Sequence, residues 1–253
     1  PSVRWGILGT GDAAHAFAAA LRSGTRPILS AVGSRSFDRA DVFAHDLGVE
    51  GVHSSYQELV NDPQVDVVYV ATPHSEHREH ALMAIQAGKH VLVEKPFARN
   101  LAETTEVLEA AKAAGVFVME GMWTRFLPHV AGLHDVIARG DIGEIVNITA
   151  DCGQYISYDP SHRRYNPDLA GGALLELGVY PVAFAHDFLG VPDTITAVGV
   201  LTPEGVDGQV SVVLSYGEQA QAVLSTTLWS ITPTVASISG TGGRIEITGP
   251  FYT

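Results

Sequence analysis

The chain has 253 residues, 46% of them hydrophobic, with a formal charge of -13 at neutral pH. That length exceeds the usual span of one domain, roughly 100–200 residues, so two domains are expected; so acidic a chain repels nucleic acid and anionic membrane, which leaves any anionic ligand to local amides and a few arginines. The single cysteine, Cys152, excludes an internal disulfide, and with no secretory leader, no apolar run of transmembrane length and Pro1 read as a start after Met removal, a soluble cytoplasmic protein is expected.

Residues 3–8 are a predicted first strand, which runs straight into Gly9-Thr10-Gly11-Asp12-Ala13-Ala14 and an alanine-rich helix to about Leu21. A G-x-G-x-x-A run between strand and helix is a dinucleotide-binding arrangement. Its glycines let the backbone turn tightly and approach a pyrophosphate, and amides at the helix start meet the charge. A second strand, Ile28 to Gly33, ends in Ser34-Arg35-Ser36, with Arg39 one helical turn later. NAD-specific sheets put a carboxylate here for the ribose 2′-OH; hydroxyls and guanidinium groups suit the 2′-phosphate of NADP instead, with Arg35 also able to stack on adenine.

Asp41 to Leu47 is a predicted helix, Val52-His53 a short strand and Tyr56 to Asn61 a helix start. An apolar strand, Val65 to Ala71, then closes on Thr72-Pro73-His74-Ser75-Glu76-His77. Strands alternating with helices give a doubly wound parallel sheet. Thr72 and Pro73 lie at the same carboxyl edge as Gly9 and Lys95. His74, His77 and His80 invite a metal reading, since histidines three apart share a helix face. No cysteine or carboxylate set completes such a site, so no metal is expected, and His74 and His77 are assigned with Thr72 and Pro73 to the cofactor edge. Ala81 to Gly88 completes this helix, with Gly88 as its cap. Val91 to Phe97 is apolar enough to be buried on both faces of a parallel sheet. Glu94 and Lys95 fall at its carboxyl end, where open α/β sheets bind ligands, and Pro96 stops the strand.

A helix from Asn100 to Ala114 and a strand from Val116 to Glu120 complete a dinucleotide-binding domain of residues 1–121. From 122 to 253 a substrate and oligomerisation domain is expected, α+β, with a helix ending near Gly140 and then strands. Glu144–Gly153, Thr194–Leu201, Gln209–Tyr216, Gln219–Leu228, Thr234–Ser239 and Arg244–Thr248 alternate with period two, which predicts an open, mostly antiparallel sheet, with Cys152 buried in it. One segment of different character, Asn166 to Gly190, interrupts them. Within it Gly171-Gly172 would let a helix approach a ligand closely. Glu176 and Tyr180, four apart, share one face of that helix, and Pro181 would kink it and free the Leu177 carbonyl. Trp123, Arg164 and Tyr165 are candidates for the lining of a substrate pocket, because aromatic faces suit a sugar ring or an arene diol.

The sequence resembles the Gfo/Idh/MocA oxidoreductases over nearly its whole length. The resemblance rests on Gly9-Thr10-Gly11-Asp12-Ala13-Ala14, on Ala71-Thr72-Pro73 with His77, on Glu94-Lys95-Pro96, and on Gly171 to Tyr180. Where the family usually has Asp and His four apart, this chain has Glu176 and Tyr180, which is similar to the branch containing dimeric dihydrodiol dehydrogenase and NADP-dependent xylose 1-dehydrogenase. The resemblance implies Tyr180 as general acid/base and Lys95 as the cation that lowers its pKa, with Glu176 as a third catalytic residue, Tyr180 and Lys95 meeting beside the reactive ring of the dinucleotide. A homodimer through the C-terminal sheet is also implied. The chain stops at Phe251-Tyr252-Thr253, before the last strands that members usually have, either as a short member or as a truncated one, so the sheet is expected to lack an edge. The expected activity is NADP-dependent oxidation of a secondary alcohol of a sugar or vicinal diol. Two rivals are an NAD(P)-dependent reductase of an inositol- or anhydrosugar-type ketone, and an NADP-binding sensor that turns nothing over.

Overall fold

The computed structural model describes residues 2–24 and 27–253, in two compact units, Pro1–Gly121 and Met122–Thr253. In the first unit, strands β1 (Arg4–Leu8), β2 (Ile28–Gly33), β3 (Gly51–His53), β4 (Val67–Val70), β5 (His90–Val93) and β6 (Val118–Glu120) form one parallel sheet ordered β3-β2-β1-β4-β5-β6. This is the dinucleotide-fold order, with the reversal of strand order between β1 and β4.

Side chains alternate across a strand, so neighbours serve opposite faces. Ile7 packs with Ala14, Ala18, Val32 and Phe43 on one side of β1, while Leu8 packs with Leu59, Val68 and Val93 on the other. The covering helices are α1 (Asp12–Ser23), α2 (Phe37–Leu47), α3 (Tyr56–Val60), α4 (His77–Gln86) and α5 (Leu101–Ala114). Side-chain caps set several of their starts. Ser36 accepts from the Arg39 amide, Ser55 from Glu58 and Asn100 from Glu103. The Ser36 cap starts α2 at Phe37 rather than Asp41, which puts Arg39 in its first turn.

The second unit holds α6 (Pro128–Ala138), β7 (Ile145–Gly153), α7 (Val179–Leu189), β8 (Thr194–Leu201), β9 (Asp207–Tyr216), β10 (Ala220–Thr227), β11 (Ala236–Gly240) and β12 (Arg244–Ile247). Its sheet runs β12-β11-β7-β10-β9-β8, antiparallel at every pairing except β7 with β10. One face buries Ile148, Ala150, Cys152, Val212, Leu214 and Leu224 against Leu177, Tyr180 and Phe184 of the helical segment. That segment, Pro167–Leu189, corrects the expectation of no apolar run of transmembrane length: by length and composition it qualifies, with a mean hydropathy of 1.3. A helix laid on a sheet must be apolar on the side it buries, and more than half of this one is buried inside the domain.

Candidate active site

In the first unit the carboxyl ends of the strands carry the predicted cofactor residues. Gly9 has φ +104°, and a Cβ there would lie 2.5 Å from the Ala71 carbonyl oxygen, so only glycine fits. At Gly11 nothing lies within 4 Å of where a Cβ would be, and α1 begins with no side-chain cap. The first amides of α1 therefore remain available to an anion. Thr10, Gly11, Asp12 and Ala13 border this open turn, and the arrangement fits the pyrophosphate of NAD(P).

At the end of β2, Ser34 is buried and its hydroxyl accepts from the Ser36 amide (3.2 Å), which shapes the turn. Arg35 and Arg39 are exposed. Arg35 acts on Tyr56: burial pushes the Tyr56 phenol up, and a hydrogen bond and the charge of Arg35 oppose that rise. Tyr56 in turn meets the His80 ring edge-on at 4.5 Å, and His80 Nδ1 bonds Thr72 Oγ1 at 2.9 Å. Tyr56 and His80 thus join Arg35 and Thr72 in one corner. Sequence reasoning did not select Tyr56 for the site, because the pairing is tertiary and leaves no local pattern.

His77 is fully buried, with Nδ1 2.7 Å from the Pro96 carbonyl and Nε2 2.9 Å from the Thr72 carbonyl. Both nitrogens are spoken for by protein, so the assignment of His77 to the cofactor is corrected: it is a strut between the turns after β4 and β5. His74, also buried, meets it edge-on at 5.6 Å. Burial holds the imidazoles of both His77 and His80 below the usual range. The unfolded chain therefore binds protons at these two sites more readily than the folded one, so their contribution is present above about pH 6.5 and is lost as pH falls below that value. The drop in thermal midpoint between about pH 7.5 and about pH 5.5 should accordingly be smaller in His80→Gln than in wild type. Parallel drops in calorimetry would count against this.

Glu94 leaves β5 with its amide bonded to the Val70 carbonyl (3.0 Å). Its carboxylate accepts from the Tyr69 hydroxyl and from the Lys95 amide (3.2 Å). Burial pushes the Glu94 carboxyl up; Tyr69 and Lys95 pull it down, and Glu120 adds to the rise. Pro73 and Lys95 stand at the same edge, after β4 and β5.

In the second unit the predicted helix is not regular. Leu174–Gly178 is a π turn, and regular α-helix begins only at Val179. Such turns recur at functional sites. Pro181 follows this turn directly and has no N–H to offer the Leu177 carbonyl, and Leu177 lies inside the π turn, where the irregularity falls.

Glu176 is buried, and its partners are arginines. Arg163 grips both oxygens (2.8 Å each) and Arg164 Nε donates to Oε1 (2.8 Å). Arg164, predicted to line a substrate pocket, is held on this carboxylate. Tyr165 is fully buried and donates its hydroxyl to the Ile156 carbonyl (2.8 Å), so its substrate assignment is corrected to a core role. Gly171 and Gly172 are also explained by protein: a Cβ would lie 2.6 Å from the Arg164 carbonyl oxygen in one case and 2.3 Å from Asp207 Oδ1 in the other. Asp207, from β9, accepts from the Leu174 amide (2.6 Å) and so caps the π turn. Burial pushes its carboxyl up. Tyr180 is buried and stacks on Tyr252 with ring centres 4.4 Å apart. Half-exposed Trp123 donates Nε1–H to the Tyr252 carbonyl (2.7 Å).

Among the described residues no group of three His, Cys, Asp or Glu could hold a metal ion.

Residues 3–122 match the model of an oxidoreductase family with an NAD-binding Rossmann fold, and residues 130–246 match the GFO/IDH/MocA C-terminal domain. Mouse trans-1,2-dihydrobenzene-1,2-diol dehydrogenase is 38% identical over 97% of this chain and 74% of its own length. An NAD binding oxidoreductase from Klebsiella pneumoniae superposes with a TM-score of 0.89 at 31% identity, covering 98% of this chain and 73% of that one. A 3-ketoreductase from Actinomadura kijaniata, solved with NADP and TDP-benzene, gives 0.88 at 30% identity, over 99% and 78%. The chain belongs to the GFO/IDH/MocA oxidoreductase family and is an NAD(P)-dependent oxidoreductase.

Proposed function

We propose that this enzyme moves hydride between NADP and a secondary alcohol of a sugar or vicinal diol, with Tyr180 as acid/base and Lys95 as its assisting cation. The observation that carries the proposal is the presence of two features in one chain 38% identical to a diol dehydrogenase: Lys95 after β5 and a buried tyrosine behind a π turn. When bound, the nicotinamide accepts hydride from the carbinol carbon or returns it. The hydroxyl proton goes to the Tyr180 oxygen. A phenol of pKa ~10 is a poor base near neutrality, and the positive charge of Lys95 favours its ionised form while an N–H of the ammonium holds the substrate oxygen.

Gly9 to Ala13 would hold the pyrophosphate, Ser34, Arg35 and Arg39 the 2′-phosphate, and Thr72, Pro73, His74 and Glu94 the remaining cofactor edge. Trp123 would meet the substrate, and Glu176, clamped by two arginines, would fix the loop in front of the catalytic helix. The solution form proposed is a cytoplasmic homodimer joined through the C-terminal sheet. Its support is the full exposure of β8, where Ile195, Val198, Val200 and Leu201 are uncovered.

The reading is tested by steady-state NADP reduction across a panel of sugars and vicinal diols, on which turnover is expected. Tight NADPH binding with no turnover on any of them would replace it with a cofactor-binding sensor. The NADP preference has support in the arginines after β2 and in the NADP-bound relative. Arg35→Asp is expected to weaken NADP binding about 10- to 100-fold, as loss of a charge-assisted bond to phosphate implies, with NAD binding changed less than about threefold. Equal losses for the two cofactors, by fluorescence titration, would remove the 2′-phosphate assignment.

A further inference from the structure

The turn that carries Lys95 is held by more than its own backbone, and one of its supports comes from the neighbouring strand. Tyr69 of β4 is buried, with its ring stacked on Phe17 of α1 at 3.9 Å between centres. Its hydroxyl donates to Glu94 Oε1, while Glu94 Oε2 accepts from the Lys95 amide. On the far side, Glu120 Oε1 accepts from the Phe97 amide at 2.9 Å. The segment Glu94 to Phe97 is therefore gripped at both ends by carboxylates, and Tyr69 is the group that fixes the first of them.

We propose that Tyr69 is a positioning residue for catalysis: its hydroxyl pins the Glu94 carboxylate against the Lys95 backbone and thereby sets where the Lys95 ammonium is presented. The ring is immobilised by α1, so the hydroxyl is delivered to one place, and a carboxylate held by a donor on each oxygen has little freedom to rotate. The titratable groups acting on Glu94 are Tyr69 from β4, Lys95 on its own turn and Glu120 from β6. Of these, Tyr69 and Lys95 favour the ionised carboxylate, and Glu120 opposes it.

The inference rests on Lys95 being catalytic. Tyr69→Phe deletes only the hydroxyl and keeps the stacked ring. In protein labelled with 13C at the glutamate carboxyls, with the Glu94 signal identified by its loss in Glu94→Gln, the Glu94 titration midpoint should rise by about one pH unit in Tyr69→Phe. The sign follows from losing a donor to the ionised form. This measurement needs no turnover.

Kinetics are read in the reductive direction, with NADPH and 2-hydroxycyclohexanone, because there the tyrosine acts as an acid and its protonation adds no acid limb. The acid limb of kcat should move up with the Glu94 midpoint, and kcat should fall about tenfold while KM for NADPH stays within about twofold. In a Glu94→Ala background, Tyr69→Phe should change kcat by less than about twofold, since the group it acts through is gone. An unmoved Glu94 midpoint, or the same fold-loss in both backgrounds, overturns the proposal. Lys95→Ala separates the layers: if that variant keeps turning over, the catalytic reading of Lys95 fails, whereas an inactive Lys95→Ala beside an additive cycle removes only the role of Tyr69.

Discussion

Tyr180→Phe is expected to lower kcat for alcohol oxidation by about 10²- to 10⁴-fold, the usual contribution of a positioned proton acceptor. The substitution removes one oxygen from a buried ring, and stacking on Tyr252 is open to phenylalanine as well as to tyrosine. The fold should therefore survive, with a stability change of about 1 kcal/mol. Lys95→Ala should fall in the same range, and the double variant should be little worse than either, as groups serving one step are strongly non-additive. A Tyr180→Phe enzyme with wild-type kcat and an unchanged profile against pH would take the proton-transfer role away from this residue.

Glu176→Ala should destabilise the second unit by about 3 kcal/mol, because it strips a buried carboxylate from two guanidinium groups. The lower end of the usual range applies since the Arg163 side chain is 47% exposed and can turn to water, while Arg164, at 22%, has less room to do so. For a chain of this size that loss corresponds to a fall in thermal midpoint of about 6–12 °C. Glu176→Gln, which keeps one acceptor oxygen and sets an amide NH2 against the other guanidinium N–H, should lie between Glu176→Ala and wild type. A midpoint within about 1 °C of wild type would show that the arginine clamp contributes nothing to stability.

The parts of this fold that a reader of the sequence could place are those dictated by local backbone or by periodicity. Ile28–Gly33 and Thr194–Leu201 are strands over the very residues that their apolar pattern marks, and Gly9 sits where a side chain would strike the Ala71 carbonyl. What was hidden arises from contacts distant along the chain. Asp207 caps a turn that begins at Leu174, Tyr69 reaches Glu94, and Tyr56 answers Arg35. None of these partners stands at a spacing that announces it. Arg163 was hidden for a different reason: two adjacent arginines look alike in sequence, and only the fold distinguishes the one that grips both carboxylate oxygens. Pro181 pointed to a disturbance near Leu177 but not to its form, a π turn over Leu174–Gly178. Tyr165 misled because an aromatic in a loop beside a candidate site can equally be the plug that closes the core beneath it.

The central pairing of the second sheet carries a kinetic consequence. β7 and β10 run side by side in the same direction, with Asn147 opposite Gln221, so the intervening chain, with the whole helical segment that bears Glu176 and Tyr180, forms the loop that must close before the two strands can zip. Contacts so remote are slow to form. Refolding of this unit is thus expected to wait on a non-local pairing, with the helix that carries the proposed acid/base inside the loop that closes.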